Sequence, residues 1–324
     1  MTRATRARTR RDDRLPAILF LLPNLLGFTM FTAGPVFYSF AISFTDRSLL
    51  SPDWHWVGFR NYTDLAQDSM FWTYLVNTAY YFIGLPLSMA GSLFLASLLH
   101  QKIRGGSLFR TLLYLPSFCA GVALMLLWKQ LLNPDFGAIN SLLRGVFHVL
   151  GVHVGLPQWL NSTNNLLAIN PERVAFDRTQ FGLGARDALM IMGIWTGIGG
   201  GNMLLYLAAL GNVPVEMGEA ASLDGASAWQ AFKAVTWPQL APTTFFIVVM
   251  SCIGGFQGGF DQAQVMTGGG PAKTTTTLAY HIYQTAFVQF QIGYASTVSW
   301  VLFAIVLAIT LVTFKSGNRE DLVS

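Results

Sequence analysis

Charge, cysteine and catalytic motifs are all scarce in this chain, and each shortage removes a class of protein. Only 11% of its 324 residues are charged, while 52% are hydrophobic. A soluble domain carries about 25% charged residues, so the composition points to a membrane protein, and the six apolar spans described below make the reading an all-α integral membrane protein. Cys119 and Cys252 are the two cysteines. Each falls inside an apolar segment and neither belongs to a CxxC pair, which leaves no basis for a disulfide framework or a zinc site. His148 and His153 have no cysteine or acid nearby and read as surface or interface residues rather than metal ligands. There is no HExxH, no cluster of His with Asp and no nucleophile elbow, so a membrane-embedded enzyme lacks its chemistry. The run Gly268-Gly269-Gly270-Pro271-Ala272-Lys273-Thr274 looks like a phosphate loop only superficially. That loop needs glycine directly before the lysine, where Ala272 stands, and Pro271 removes a donor. The chain itself is therefore not expected to bind ATP.

The net charge of +4 does not signal nucleic acid. Six arginines crowd the first fourteen residues (Arg3, Arg6, Arg8, Arg10, Arg11 and Arg14), and no basic stripe with interleaved aromatics follows. That tail, residues 1–14, reads as a cytoplasmic anchor. A secretory signal is the rival, but the apolar run that follows is too long for one and lacks a small-x-small cleavage site.

What the chain has in abundance is long apolar runs. A span needs about 20 residues, and six segments qualify: Leu15–Phe40, Tyr74–Leu99, Thr111–Leu131, Ala188–Leu210, Thr243–Val265 and Ala295–Phe314. They make one transmembrane domain, 15–314, followed by a short tail, 315–324. With the N-terminus inside, twelve bases lie on the cytoplasmic side and seven on the opposite side, with Lys129 free to snorkel. Both termini are thus expected inside.

Between the fourth and fifth spans lies a polar island, 211–241. It holds Glu216, Glu219 and Asp224 against the single base Lys233, an odd balance for a cytoplasmic loop. Proline near its start and Gly225 at its end punctuate a helix near Pro214 to Leu223, with a second helix near Ser227 to Val235. An acidic, alanine-rich hairpin fits a basic groove on another protein better than anionic lipid. The order Glu219-Ala220-Ala221, Asp224-Gly225-Ala226, Phe232, Trp237-Pro238 and Pro242 resembles the EAA loop of the membrane-spanning subunits of bacterial ABC importers. Further on, Phe256-Gln257-Gly258-Gly259-Phe260-Asp261, Thr267-Gly268-Gly269-Gly270-Pro271, Thr274–Thr277 and Gly293-Tyr294-Ala295 resemble the carbohydrate-type permeases of that group. Gly58, Asn61 and Tyr62 match its first outer loop, and Tyr114-Leu115-Pro116 is again similar. The long outer loop, 133–187, departs from the family between Asn161 and Arg186.

The resemblance implies the type I ABC importer permease fold with six transmembrane helices in the bacterial inner membrane. It implies a second homologous permease subunit, an ABC ATPase dimer that holds ATP and Mg, an extracytoplasmic solute-binding protein and a sugar-like substrate. Glu219, Ala220, Ala221, Asp224, Gly225 and Pro238 would couple to the ATPase, while Thr267–Pro271 would face the binding protein. The substrate pathway would involve Gly193, Trp195, Thr196, Gly197, Gly200, Cys252, Gly255, Phe256, Gln257 and Asp261. Glycines four apart in the fourth and fifth spans fit close helix packing as well as room for a ligand. Asp261, an acid at a span end, is either functional or a cap. The rival class is an ion-gradient-driven secondary transporter, which usually carries inverted repeats and buried acids. No convincing repeat is evident here, and apart from Asp261 no acid lies well inside a span.

Overall fold

The computed structural model describes residues 14–101, 104–118, 121–151, 154–167, 169 and 183–320. The arginines before Arg14, Lys102, Cys119, His153, most of the expected insertion and residues 321–324 lie outside them. Among the described residues the fold is helical, with one isolated β-bridge between Thr45 and Trp56. Five helices are long and apolar enough to cross a membrane: Ile18–Ile42, Ser69–His100, Ala185–Gly211, Ala228–Thr267 and Ile292–Lys315. The sixth expected span is the pair Gly106–Ser117 and Gly121–Leu131, bent by 90°. The span was expected over Thr111–Leu131; Pro116, which has no N–H to donate to the preceding turn, lies in the last turn of the first helix of the pair.

Two further corrections follow from backbone chemistry. The second helix of the polar hairpin is not separate from the fifth span. Ala228–Ala231 runs through a π turn, Phe232–Thr236, into Trp237–Gln257. Pro238 has no N–H to donate, and it follows directly on the π turn, where the Trp237 N–H reaches back to the Phe232 carbonyl and the helix runs on. Conversely, the fourth span is broken. Ala185–Ile198 ends at Gly199, and Gly200, with φ −85° and ψ −155°, starts Gly201–Gly211.

The described residues form two compact units. The first comprises residues up to Gln67 with Tyr283–Trp300. In it, the turn after the first span is clamped from two sides. Asn61 donates to the carbonyls of Ser43 and Thr45, and Tyr62 meets the Ser43 hydroxyl at 2.8 Å. From the other side, Thr297 donates to the Ser43 carbonyl and the Gly293 N–H to that of Arg47. The motif residues Asn61, Tyr62 and Gly293 therefore hold the same turn, Ser43–Arg47. The first span itself is almost uncovered within this chain, with Phe20, Phe31 and Phe37 exposed.

The second unit comprises Asp68–Ile282 and the chain from Val301. Its core is the second, fourth and fifth spans, joined in two apolar clusters. One gathers Ala96, Leu99, Met203, Tyr206, Leu210, Leu240 and Ile247; the other gathers Met125, Trp128, Leu132, Trp159, Ala188, Leu189, Met192 and Met266. At the second cluster's end the polar groups are tied down. Asn77 donates to the carbonyls of Lys273 and Thr276, and buried Arg186 donates to those of Thr274 and Ile169. Asp187 accepts from Tyr80, Leu166 and Gly184. Nearby, burial pushes the His281 imidazole below its ordinary value, which favours the neutral ring.

A Cβ on Gly293 would lie 2.1 Å from the Thr45 carbonyl oxygen, whereas one on Gly145 would meet nothing within 4 Å. Gly293→Ala should therefore cost about 1–3 kcal/mol by overpacking, read as a lower thermal midpoint in detergent, while Gly145→Ala should cause no loss.

Candidate functional site

Two features stand apart from the packed helices: an exposed hairpin at one end of the second unit and a cavity midway along its spans. The hairpin is built by local punctuation. Pro214, with φ −60° and ψ 129°, precedes Val215–Leu223, and Glu216 lies in its first turn, where a carboxylate suits the helix dipole. At the other end Ala226 N–H donates to the Ala221 carbonyl and Gly225 N–H to that of Ser222. This is a Schellman motif, and it needs a left-handed residue at Gly225, which takes φ +78°. Ser227 then opens the next helix in a capping box with Gln230.

None of the residues of Val215–Leu223 is buried. Glu219, Ala220, Asp224, Gly225 and Pro238 are exposed and Ala221 is half-buried. Leu223 is 88% exposed and Trp229 71%. The face thus offers carboxylates beside uncovered apolar side chains. Glu219 also borders a recess of about 370 Å³ together with His100, Val213 and Thr236. This places one acid at the seam between the hairpin and the ends of the spans.

The cavity, about 300 Å³, lies among the second, fourth and fifth spans, between the two apolar clusters. Glycines decide its shape. Gly197 approaches the second span so closely that a Cβ would stand 2.1 Å from the Ser88 hydroxyl, and one on Gly255 would stand 3.0 Å from the Phe82 ring. Gly193 and Gly254 also line the cavity, yet a Cβ there meets nothing within 4 Å. Close packing and open space are therefore both real, at different glycines. The polar wall consists of Tyr81, Ser88, Asn202, Ser251 and Gln262. The buried Tyr81 hydroxyl has no hydrogen-bond partner among the described residues. None of the cavity's described lining residues is an acid, a lysine, an arginine or a histidine.

Of the residues expected along a substrate pathway, Gly193, Gly197 and Gly255 line this cavity. The others lie outside its lining. Trp195 packs edge-on against Trp128, and the Thr196 hydroxyl donates to the carbonyls of Met192 and Gly193. Gly200 is spent on the break in the fourth span. Cys252 borders a separate, apolar groove of about 450 Å³ with Met89, Tyr206 and Val248. Phe256 is buried against Phe82, with ring centroids 4.2 Å apart. Gln257 ends its helix and is exposed, as is Asp261, which sits in the short turn Phe260–Gln262. Tyr81, Ser88, Asn202 and Gln262 were not expected. The signal that finds the first three is a polar side chain inside an apolar span, one they share with other polar residues that do not line the cavity.

At the far end, Thr267, Gly268, Gly270 and Pro271 line a recess of about 570 Å³ with Lys129, Asn133, Asn161 and Gln264. The adjoining threonines Thr274–Thr277 are all buried.

Residues 88–316 match the family described as binding-protein-dependent transport system inner membrane component. A probable ABC transporter permease protein, YesP, of Bacillus subtilis (strain 168) is 33% identical over 318 residues, covering 97% of this chain and 94% of the relative. The lactose transport system permease protein LacF of Rhizobium radiobacter is 30% identical over 329 residues, covering 99% and 100%. Among solved structures, a bacterial ABC transporter involved in the import of the acidic polysaccharide alginate matches with a TM-score of 0.75. It shares 21% identity and covers 97% of this chain and 99% of that one; the same transporter in complex with alginate pentasaccharide-bound periplasmic protein gives 0.73. The helical spans, the EAA hairpin and these matches together make the chain a member of the binding-protein-dependent inner-membrane component family, an ABC importer permease.

Proposed function

We propose that this permease forms half of the translocation pathway for a sugar or sugar-like solute and takes its driving force through the EAA hairpin. The observation that carries the reading is the uncharged, polar-studded cavity on the very spans that continue into that hairpin. Sugars suit such a wall, because their hydroxyls need hydrogen-bond partners while their ring faces accept apolar contact. Tyr81, Ser88, Asn202 and Gln262 would supply the partners, and the bare backbone at Gly193 and Gly254 the room. The names of the lactose permease and the alginate importer support a carbohydrate. The fourth span leads into Val215–Leu223 after three residues, and the fifth span begins within the hairpin. A shift of the hairpin therefore acts on two of the three spans that wall the cavity. Membership of the binding-protein-dependent family supports this reading over an ion-gradient-driven secondary transporter.

On this reading the hairpin lies on the cytoplasmic side, as do both termini, and docks on an ATPase dimer that binds ATP and Mg. Glu219 and Asp224 supply charge complementary to a basic groove, Ala220 and Ala221 keep the helix thin, Gly225 makes the turn, and Pro238 lies exposed on the fifth span beside it. A second homologous permease subunit completes the pathway, and an extracytoplasmic binding protein delivers solute to the end that carries Thr267–Pro271.

Two experiments test the two halves of the proposal. Gly193→Leu adds a side chain where nothing obstructs it, so the purified protein should keep its thermal midpoint. Uptake by the assembled importer should fall by roughly tenfold or more, the equivalent of about 1.4 kcal/mol; undiminished uptake removes the cavity from the route. Glu219→Lys should leave membrane insertion intact and abolish substrate-stimulated ATP hydrolysis, and normal stimulation in that variant removes the docking role.

A further inference from the structure

The short helix Ala138–Leu150 has three different sides. One packs on the protein: Ile139 and Leu143 lie against the cluster of Leu132, Ala188, Leu189 and Met266, while Asn140 is buried and accepts from the Trp159 indole at 2.6 Å. A second side is polar, with Ser141, Arg144 and His148 at helical spacing and all exposed. The third is apolar and uncovered. Leu142, Val146 and Val149 follow one another at i, i+4 and i+7, the spacing of one helix face, with Leu150 beside them. Their exposures are 70%, 43%, 84% and 67%. Gly145 on the same flank faces open space.

We infer that this third face is bedded in the lipid surface, so that the helix lies along the membrane boundary. At 1.5 Å per residue its 13 residues reach about 20 Å, too short to cross a hydrocarbon core of about 30 Å. Its depth is set by what it packs on. Ala188 and Leu189 belong to the first turns of the fourth span and Met266 to the last turn of the fifth, so the helix sits where two spans leave the bilayer. The preceding helix is also apolar on its outside: Val122, Leu126 and Leu127 are exposed, and so is Phe136 in the connection. Both ionisable side chains of the helix, Arg144 and His148, are able to carry positive charge and none is acidic, which complements phosphate headgroups. A polar side opposite an apolar one, with basic residues, is the pattern of a helix that lies in the interface. The inference rests on membership of a membrane-spanning family and not on which way the chain is oriented.

The test uses the assembled importer in liposomes containing anionic phospholipid, with Cys119 and Cys252 replaced by serine and transport verified. A nitroxide is attached to a single cysteine placed in turn at Leu142, Val146, Val149, Ser141, Arg144 and His148, with Leu126 as a bilayer reference. Labels at 142, 146 and 149 should collide with oxygen more than with a water-soluble nickel chelate, as the label at 126 does, and labels at 141, 144 and 148 should show the reverse. Two outcomes overturn the inference. Nickel access at 142, 146 and 149 means that water covers the face. Shielding from both reagents means that a partner permease or a binding protein covers it.

Discussion

The approach of the second and fourth spans at Gly197 is the contact on which the rest of the structure depends. A bilayer gives helices no hydrophobic reason to associate, so close van der Waals contact and hydrogen bonds must hold them. The Ser88 side chain lies where a Gly197 Cβ would stand, and one turn on the Ser92 hydroxyl donates to the Gly197 carbonyl across the interface. Gly84 and Gly91 on the second span receive Met190, Ile194 and Ile198 of the fourth in the same way. With the two helices pinned there, the fifth can lean against Phe82 through Gly255, and the remaining space becomes a cavity rather than a packing defect. Any side chain at 197 would separate the helices that define it.

The ends of these spans are treated in opposite ways. Near the start of the fourth span Arg186 and Asp187 are buried; Arg186 donates to backbone carbonyls, and Asp187 accepts from a tyrosine hydroxyl and backbone amides. Such an arrangement resists movement, because loss of any partner strands a charged group away from water. At the hairpin end the acids are all exposed and make no ion pair with a described base. They are free to meet a partner. The chain is therefore fixed where its loops fold onto the spans and open where its acidic hairpin projects.

Local chemistry made the hairpin legible from sequence, because each of its signals acts within a few residues. Pro214 starts the helix, Gly225 closes it through the Schellman bonds and Ser227 caps the next. The spans were equally readable, since length and apolarity suffice to mark them. What sequence could not separate was the two uses of glycine. Gly193 and Gly197 look alike in the chain and differ only because Ser88, more than a hundred residues earlier, stands opposite one of them. Some positions carried over from a family resemblance lie outside the cavity lining for a related reason. Trp195 and Phe256 occupy the right helices, but the side of the helix they take is set by Trp128 and Phe82. The motif residues Asn61, Tyr62 and Gly293 proved to be ties between loops, a role that only the folded turn at Ser43–Arg47 reveals.

The absence of acid, lysine, arginine and histidine from the described cavity wall has a consequence for the cell's energy supply. A bare ion leaving water for such a compartment loses its hydration without gaining a counter-charge, a cost of several kcal/mol even after relaxation. A neutral, hydroxyl-rich solute exchanges water for amide, phenol and hydroxyl partners at little net loss. On the route proposed above, the wall that would take the solute also opposes the entry of protons and sodium, so that a passage wide enough for a polar solute need not short-circuit the potential across the bilayer.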